Sequence, residues 1–584
     1  MDPVPAQNEN YENFIVRYCQ HMYGQSEYQS DETFQIINEM FGILYTPDVE
    51  VPKLEFNSYS YSSIPKCYVP MDLGGLSASG VLRLHSHPYL KLRGSGTMIA
   101  IIDSGIDYQN PLFWNGNQTR ILSIWDQNVP GKYSDRIPFG REYSREEINK
   151  ALVAEDPYDL VPVRDISGHG TRMAAIAAGK TVPQENFSGA APEAVLVIVK
   201  LKPAKKYLRD FYLLPDKAEI YQEDDIMLAI SYVLRCATEN NMPLSICIGL
   251  GTNMGAHSGD GPLSEYINST AAFSQNSVSV AAGNEGAARH HYMGNTGQFQ
   301  EGNPVELKVG KKEASSGFSM EFWGDSPDFY NLSVQSPTGE RLSISTALKY
   351  TTQKLSFVFV ETKVLINYVP IERRTGNTFV FFRFLHPAEG IWKILVEDKK
   401  NKISRYHLWL PVTGMISEET YFLEPSPYYT VTSPGDAENA MTVTACNYRD
   451  NSLYIKAGRG YNTENIVKPD FAAPGVDLKV PETGQQDGYG TASGTSLSAA
   501  LTAGVAALLF EWALIRENEP YFTGNNVKNY LRLGAVREEE RIYPNPEWGY
   551  GEDVIIRLQS NKASKINGFR TFFLSRNQTF LLGF

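Results

Sequence analysis

Residues Met98-Ile-Ala-Ile-Ile102 are apolar without interruption and end at Asp103-Ser-Gly105. A run of strand length with no polar alternation cannot lie on a half-solvated sheet. It reads as a strand buried on both faces, with a polar carboxyl-terminal edge. The same texture recurs at Val195–Lys200, Leu244–Gly249 and Val278–Ala282, and returns at Met441-Thr-Val-Thr444. Helical periodicity lies between these runs, at Arg172–Ala178, Asp224–Asn240 and Leu263–Ser274. Strands alternating with helices predict an α/β domain: a parallel sheet with helices on both faces.

From about Gly302 to Pro425 the period changes to two. Phe318, Met320 and Phe322 alternate with polar neighbours, and turns recur at Pro337-Thr-Gly339 and Thr375-Gly-Asn377. This predicts a β-sandwich, spanning 296–424, inserted into an α/β domain of 73–295 and 425–584. Residues 1–72 form a small N-terminal α+β module in this reading. It has an amphipathic helix over Thr33–Leu44, with Phe34, Ile37 and Phe41 on one face, and extended pieces near Val49–Phe56 and Ile64–Tyr68.

With 53 Lys plus Arg against 66 Asp plus Glu, the formal net charge is −13. No basic stripe offsets it, so general nucleic-acid binding is excluded. The 42% hydrophobic fraction excludes a mainly disordered chain. Cys19, Cys67, Cys236, Cys247 and Cys446 are scattered and never form C-x-x-C, so neither a disulfide framework nor a zinc site is expected. The start, MDPVPAQNENYENF, lacks a basic segment followed by an apolar one. Cytoplasmic synthesis without a standard signal peptide is therefore expected. The longest apolar run, Ala499 to Ile515, is broken by Glu511 and Trp512, and no membrane span is expected. Glu223, Asp224 and Asp225 are read as capping and charging a helix N-terminus. His290 and His291 are read as a surface or hinge pair at the insertion boundary rather than a metal site.

Four segments carry chemistry. Asp103 follows a buried strand, where open parallel sheets place their sites; by itself it reads first as a helix cap or turn residue. His169, between Gly168 and Gly170, opens a small-residue helix, and a neutral imidazole can take a proton from a hydroxyl and return it to an amine. Ser496 sits at the start of an apolar helix whose free N–H groups favour an anion; the alternative is a helix cap. Asn284, in Ala281-Ala-Gly-Asn-Glu-Gly286, is placed to donate to an oxyanion, or is a turn residue.

Asp, His and Ser in this chain order match one known arrangement of the serine triad. The segments IIDSGID (101–107), GHGTRMAAIAAG (168–179), AAGNEG (281–286) and SGTSLSAALTAG (493–504) resemble those of subtilisin-type serine peptidases. KPDFAAPG (468–475) and WGYGED (548–553) are lesser matches. The resemblance implies Ser496 as nucleophile, His169 as general base, Asp103 as its orienting partner and Asn284 in the oxyanion hole. Gly249, Leu250 and Gly251 resemble the edge on which an extended substrate adds as a strand. One departure is Ala500, where the family usually has proline.

IWDQ (124–127), KLKPAKKYLRDFY (200–212) and GNEGAARHHY (283–292) resemble a narrower group, the clostridial Csp-type germination proteases. That resemblance implies an inserted jelly-roll domain and an N-terminal prodomain that is the enzyme's own partner, cleaved between Pro70 and Ser79. It also implies a protein substrate, a spore germination zymogen, and a spore-associated location. No cofactor and no metal ligand set are assigned. The alternative is a catalytically weak sensor or scaffold on the same fold. Glu285, near the mouth of the pocket that takes the substrate residue before the scissile bond, points to a basic or polar residue there.

Overall fold

The computed structural model describes residues 4–18, 33–48, 56, 59–71, 91–296, 304–398, 403–484 and 488–552. A nine-stranded sheet is its frame. In spatial order the parallel strands are Met441–Asn447, Asn276–Ala281, Leu244–Ile248, Met98–Asp103, Val195–Lys200 and Ile121–Asp126. Phe471–Pro474 also runs parallel to Met441–Asn447, and short antiparallel strands close both edges.

Every residue of Met98–Asp103 is buried. Ile99 and Ile101 join one core with the helices His169–Ala178 and Thr495–Phe510. Met98, Ala100 and Ile102 join the opposite core with Glu223–Asn240 and Pro262–Ala272. A strand covered on both sides must be apolar at successive positions, at about 1.5–3 kcal/mol for each large side chain buried.

All sixteen residues of Thr495–Phe510 are buried. Its small residues permit close approach: a Cβ on Gly504 would lie 2.5 Å from the Ala177 carbonyl oxygen. The helix continues as a π-type turn to Ile515. Thr495–Ile515 is thus long and apolar enough to cross a membrane, a length the sequence count missed by starting at Ala499. Yet 83% of its apolar window is buried inside the molecule, as befits a core helix.

The β-rich region enters after Ala281 and leaves before Met441, between neighbouring strands of the main sheet. It forms a six-stranded and a five-stranded antiparallel sheet around one core that includes Phe318, Phe322, Phe382, Trp392 and Leu408. Phe318–Gly324 is buried along its whole length. Its period-two face fills that core, while Trp323, with Phe379 and Phe381 of the next strand, packs into the core of the α/β unit.

The N-terminal module departs from expectation. Thr33–Leu44 is not a helix. Phe34–Ile36 and Phe41–Pro47 form an antiparallel hairpin, and the second strand pairs with Tyr11–Arg17. Asn38 Oδ1 closes the turn by accepting from the N–H groups of Met40 and Phe41, each at 2.8 Å. Phe41, Ile43 and Tyr45 point inward with period two, a pattern that competes with the helical 34/37/41 spacing and wins because the sheet supplies a buried face. The extended piece near Ile64–Tyr68 is present as the strand Cys67–Pro70. Residues 49–55 of the other piece, and Cys19, lie outside the described residues.

Candidate active site

Asp103 ends its strand fully buried, and its Oδ1 accepts from the Ser104 N–H at 2.8 Å. His169 is the first residue of its helix. Its Nδ1 lies 2.6 Å from Asp103 Oδ1, and its Nε2 lies 3.1 Å from Ser496 Oγ. Ser496 stands in the first turn of the Thr495–Phe510 helix. The glycines around His169 have separate tasks. Gly168 adopts φ 75°, and a Cβ on Gly170 would lie 2.2 Å from the Gly105 carbonyl oxygen.

Sequence reasoning missed Asp165. Its Oδ2 accepts from Thr171 N (2.8 Å) and Thr171 Oγ1 (2.6 Å), and its Oδ1 accepts from Gly168 N (2.9 Å). It therefore caps the helix that His169 opens. The signal was an acidic residue just ahead of the glycine-flanked histidine.

Asn284 follows the strand Asn276–Ala281 and the turn at Gly283. Its Oδ1 accepts from Thr495 N (3.3 Å) and Thr495 Oγ1 (3.2 Å), which orients the amide so that Nδ2 is the donor it can offer a reacting oxygen. The Ser496 N–H is directed to the carbonyl oxygen of Met71, at 3.4 Å. Met71 follows the strand Cys67–Pro70, which lies antiparallel between Leu250–Gly251 and Tyr221–Gln222. Leu250 pairs with Pro70 and Gly251 with Val69, and the Met71 N–H donates to Gly249 O at 2.9 Å. The edge formed by Gly249, Leu250 and Gly251 thus carries an extended segment of the chain itself. A cleft of about 550 Å³ runs beside Val69, Pro70 and Met71, bounded by Asn284 on one side and by Thr413, Gly414 and Glu418 of the β-rich region on another.

Three smaller expectations change. Glu285 is buried, with Oε2 2.6 Å from His290 Nδ1 and Oε1 accepting from Thr413 N at 3.0 Å. Burial works against its charge, but His290 and the Thr413 N–H outweigh it and hold the pKa below the usual glutamate value. It is a strut in the cleft wall, not a free acid for a basic substrate residue. His290 and His291 diverge: His291 Nε2 lies 3.0 Å from His407 Nδ1 and stacks on Trp409. Among the described residues no group of three or more His, Cys, Asp or Glu could hold a metal ion. Glu223, Asp224 and Asp225 do charge the first turn of their helix, but the N-cap residue is Gln222 and no side-chain cap is made there. They are buried, with Glu223 accepting from Lys66 N (3.0 Å), Asp224 from Asn13 Nδ2 (2.7 Å), and Asp225 beside Lys202 Nζ (2.5 Å). Glu223 and Asp224 thereby tie the N-terminal module to the sheet. Burial, against the pull of Lys202, pushes the Asp225 carboxyl up to about 7.

The subtilase family model matches residues 94–316 and 423–551. The chain belongs to the subtilase family. Its α/β fold is subtilisin-like. It is similar to the CspB protease of Clostridium perfringens, at 28% identity and a TM-score of 0.72, over 85% of this chain and 98% of that one. This bears out the resemblance to Csp-type proteases. It is also similar to the PI-type proteinase of Lactococcus lactis subsp. cremoris, 23% identical over 81% of this chain, and to serine protease AprX of Bacillus subtilis, 30% identical over 20% of this chain. The chain spans 25% of the lactococcal proteinase and 29% of AprX.

Proposed function

We propose that this protein is a serine endopeptidase that cleaves its own chain after Met71 and then acts on another protein by limited proteolysis. Ser496 Oγ attacks the carbonyl carbon while His169 Nε2 takes its proton. Asp103 holds the ring through Nδ1 and stabilises the imidazolium. The Ser496 N–H and Asn284 Nδ2 receive the oxyanion. His169 then protonates the departing amine, and water, activated by the same nitrogen, releases the acyl group from Ser496.

The observation that carries this reading is the Met71 carbonyl oxygen at the Ser496 N–H, on a segment paired along both sides as a substrate would be. It supports the Met71–Asp72 bond within the expected cleavage window, 70–79; residues 72–79 lie outside the described residues. In this reading 1–71 is the prodomain, and 296–424 is a jelly-roll insert that lends a wall to the cleft. The continuous line Asp103–His169–Ser496 weighs against the sensor or scaffold alternative.

Intact mass of the purified chain beside a Ser496→Ala variant tests the proposal. The wild type should yield a fragment beginning at Asp72, and the variant should stay whole. Cleavage of both at the same bond, or of neither, would count against it. From the Csp-type resemblance we further propose a spore germination zymogen as substrate and a spore-associated location after cytoplasmic synthesis. Conversion of a purified cortex-hydrolase precursor by wild type and not by Ser496→Ala is the expected outcome; an unchanged precursor would refute it.

A further inference from the structure

Glu12 is a buried acid that the fold does not use. It stands in the strand Tyr11–Arg17, only 8% exposed, and among the described residues its Oε2 has no hydrogen-bond partner. A buried carboxylate in that state is costly unless something that binds there receives it. Lys205 pulls on it from nearby, but that ammonium is already in use. Its Nζ donates to Pro5 O (2.8 Å), Tyr11 O (3.0 Å) and Asn13 Oδ1 (2.8 Å), which engages all of its protons. Burial and the neighbouring Asp48 outweigh Lys205 and push the Glu12 carboxyl up to about 7.

Glu12 lines a cleft of about 620 Å³ where three parts of the molecule meet. Glu9 and Asp48 reach it from the N-terminal module, Asp210 from the helix Lys206–Tyr212, and Leu365 and Arg383 from the β-rich region. The two bases on its wall are engaged. Lys206 Nζ holds both oxygens of Asp210, at 2.5 and 2.8 Å, and the Arg383 guanidinium lies over the Phe211 ring, 4.8 Å from its centroid. One oxygen of Glu9 accepts from the Lys206 N–H at 2.9 Å. Glu12 and the exposed Asp48 are left to face the cleft. Phe211 and Leu365 add an apolar stretch to the same wall.

We propose that this cleft binds a primary alkylammonium group, its nitrogen at the Glu12 and Asp48 carboxylates and its methylene chain along Phe211 and Leu365. The site is separate from the reaction chemistry, and the inference does not depend on self-cleavage. A metal ion fits poorly: calcium and magnesium want about six oxygens, and no group of three or more His, Cys, Asp or Glu among the described residues could hold one. A guanidinium fits less well, because Arg383 already covers the Phe211 face on which it would stack. An ammonium is compact, offers three donors to converging carboxylates, and carries a stem that covers apolar surface. Two sources have this chemistry, a free diamine and the lysine side chain of another polypeptide.

The test uses the full Ser496→Ala chain, whose length is fixed, and cadaverine as the probe, titrated by calorimetry at physiological ionic strength so that diffuse attraction to an acidic protein is screened. Binding should saturate at one site. It should release protons near neutral pH, because a bound cation lowers the Glu12 carboxyl. Glu12→Gln keeps the shape and should raise Kd at least about tenfold while abolishing the proton release. Asp48→Asn should raise Kd at least about threefold, and because Asp48 is exposed this variant reads the site even if Glu12→Gln does not fold. Glu155→Gln, an exposed acid outside the cleft, should leave Kd within about twofold. Pentanol, the same stem without the ammonium, should not bind. An end-blocked Gly-Gly-Lys-Gly-Gly peptide separates the sources: tighter binding than cadaverine supports the site with a polypeptide lysine as its occupant, and weaker binding supports it with a free amine. No saturable binding of either probe, or a Kd unmoved by both Glu12→Gln and Asp48→Asn, would overturn the proposal.

Discussion

Two buried carboxylates in this protein each hold an imidazole nitrogen at 2.6 Å: Asp103 with His169, and Glu285 with His290. Their surroundings differ. Asp103 ends a strand and His169 opens a helix, 66 residues apart in the chain, and the far nitrogen of His169 meets Ser496 Oγ. Glu285 and His290 are five residues apart in one loop, and among the described residues His290 Nε2 has no partner. The second oxygen of Glu285 is taken by the Thr413 N–H of the β-rich region. The first pair is aimed by two rigid elements at a third group. The second is a local latch that fastens the cleft wall. Distance alone does not make a carboxylate–imidazole pair catalytic; the group beyond it does.

Substitutions separate the two pairs. Ser496→Ala removes the group beyond His169 and should lower kcat by about 10⁴-fold or more, leaving only oxyanion and binding effects; turnover of a peptide ester measures it. Asp103→Asn should cost about 10⁴-fold in kcat with little change in KM, because the ring is held in the wrong tautomer. Asn284→Ala should reduce kcat by about 10²–10³-fold, the loss of one oxyanion donor.

Glu285→Gln is expected to keep kcat within a few-fold of wild type and to lower unfolding free energy by about 1–3 kcal/mol, as read by urea melts. A loss of kcat as deep as that of Asp103→Asn would erase the distinction between the pairs. The smallest effect is in pH. The folded pKa of Glu285 lies below its unfolded value. Its stabilisation is therefore fully present above the ordinary glutamate range and is lost as pH falls through the lowered value. Melts of Glu285→Gln should show less acid-side decline than wild type over that window, and identical slopes would assign the acid sensitivity elsewhere.

The strand reading that held came from a short window: Met98–Asp103 announces its place by apolar continuity. Asp103, His169, Asn284 and Ser496 are picked out by the glycines or element ends beside them. The readings that failed needed a partner from elsewhere. Thr33–Leu44 chose strands over a helix because Tyr11–Arg17 offered backbone bonds to the Phe41–Pro47 strand. Glu223 and Asp224 left the cap role because Lys66 and Asn13 offered buried donors. Nothing in the local sequence of Met71 marks it as the residue whose carbonyl meets Ser496.

The amino-acid order therefore carries the central sheet, its covering helices and the choice of Asp103, His169 and Ser496 as candidate site residues. Burial on both faces demands continuous apolar runs, and a sharp strand-to-helix junction demands small residues at fixed spacing. Packing supplies the distances. His169 and Ser496 are 327 residues apart and meet at 3.1 Å because two helices cross on one face of the sheet. The placing of Met71 in the cleft likewise follows from strands that only tertiary pairing brings side by side. Backbone hydrogen bonds between distant segments are indifferent to side-chain identity, so no local pattern records them.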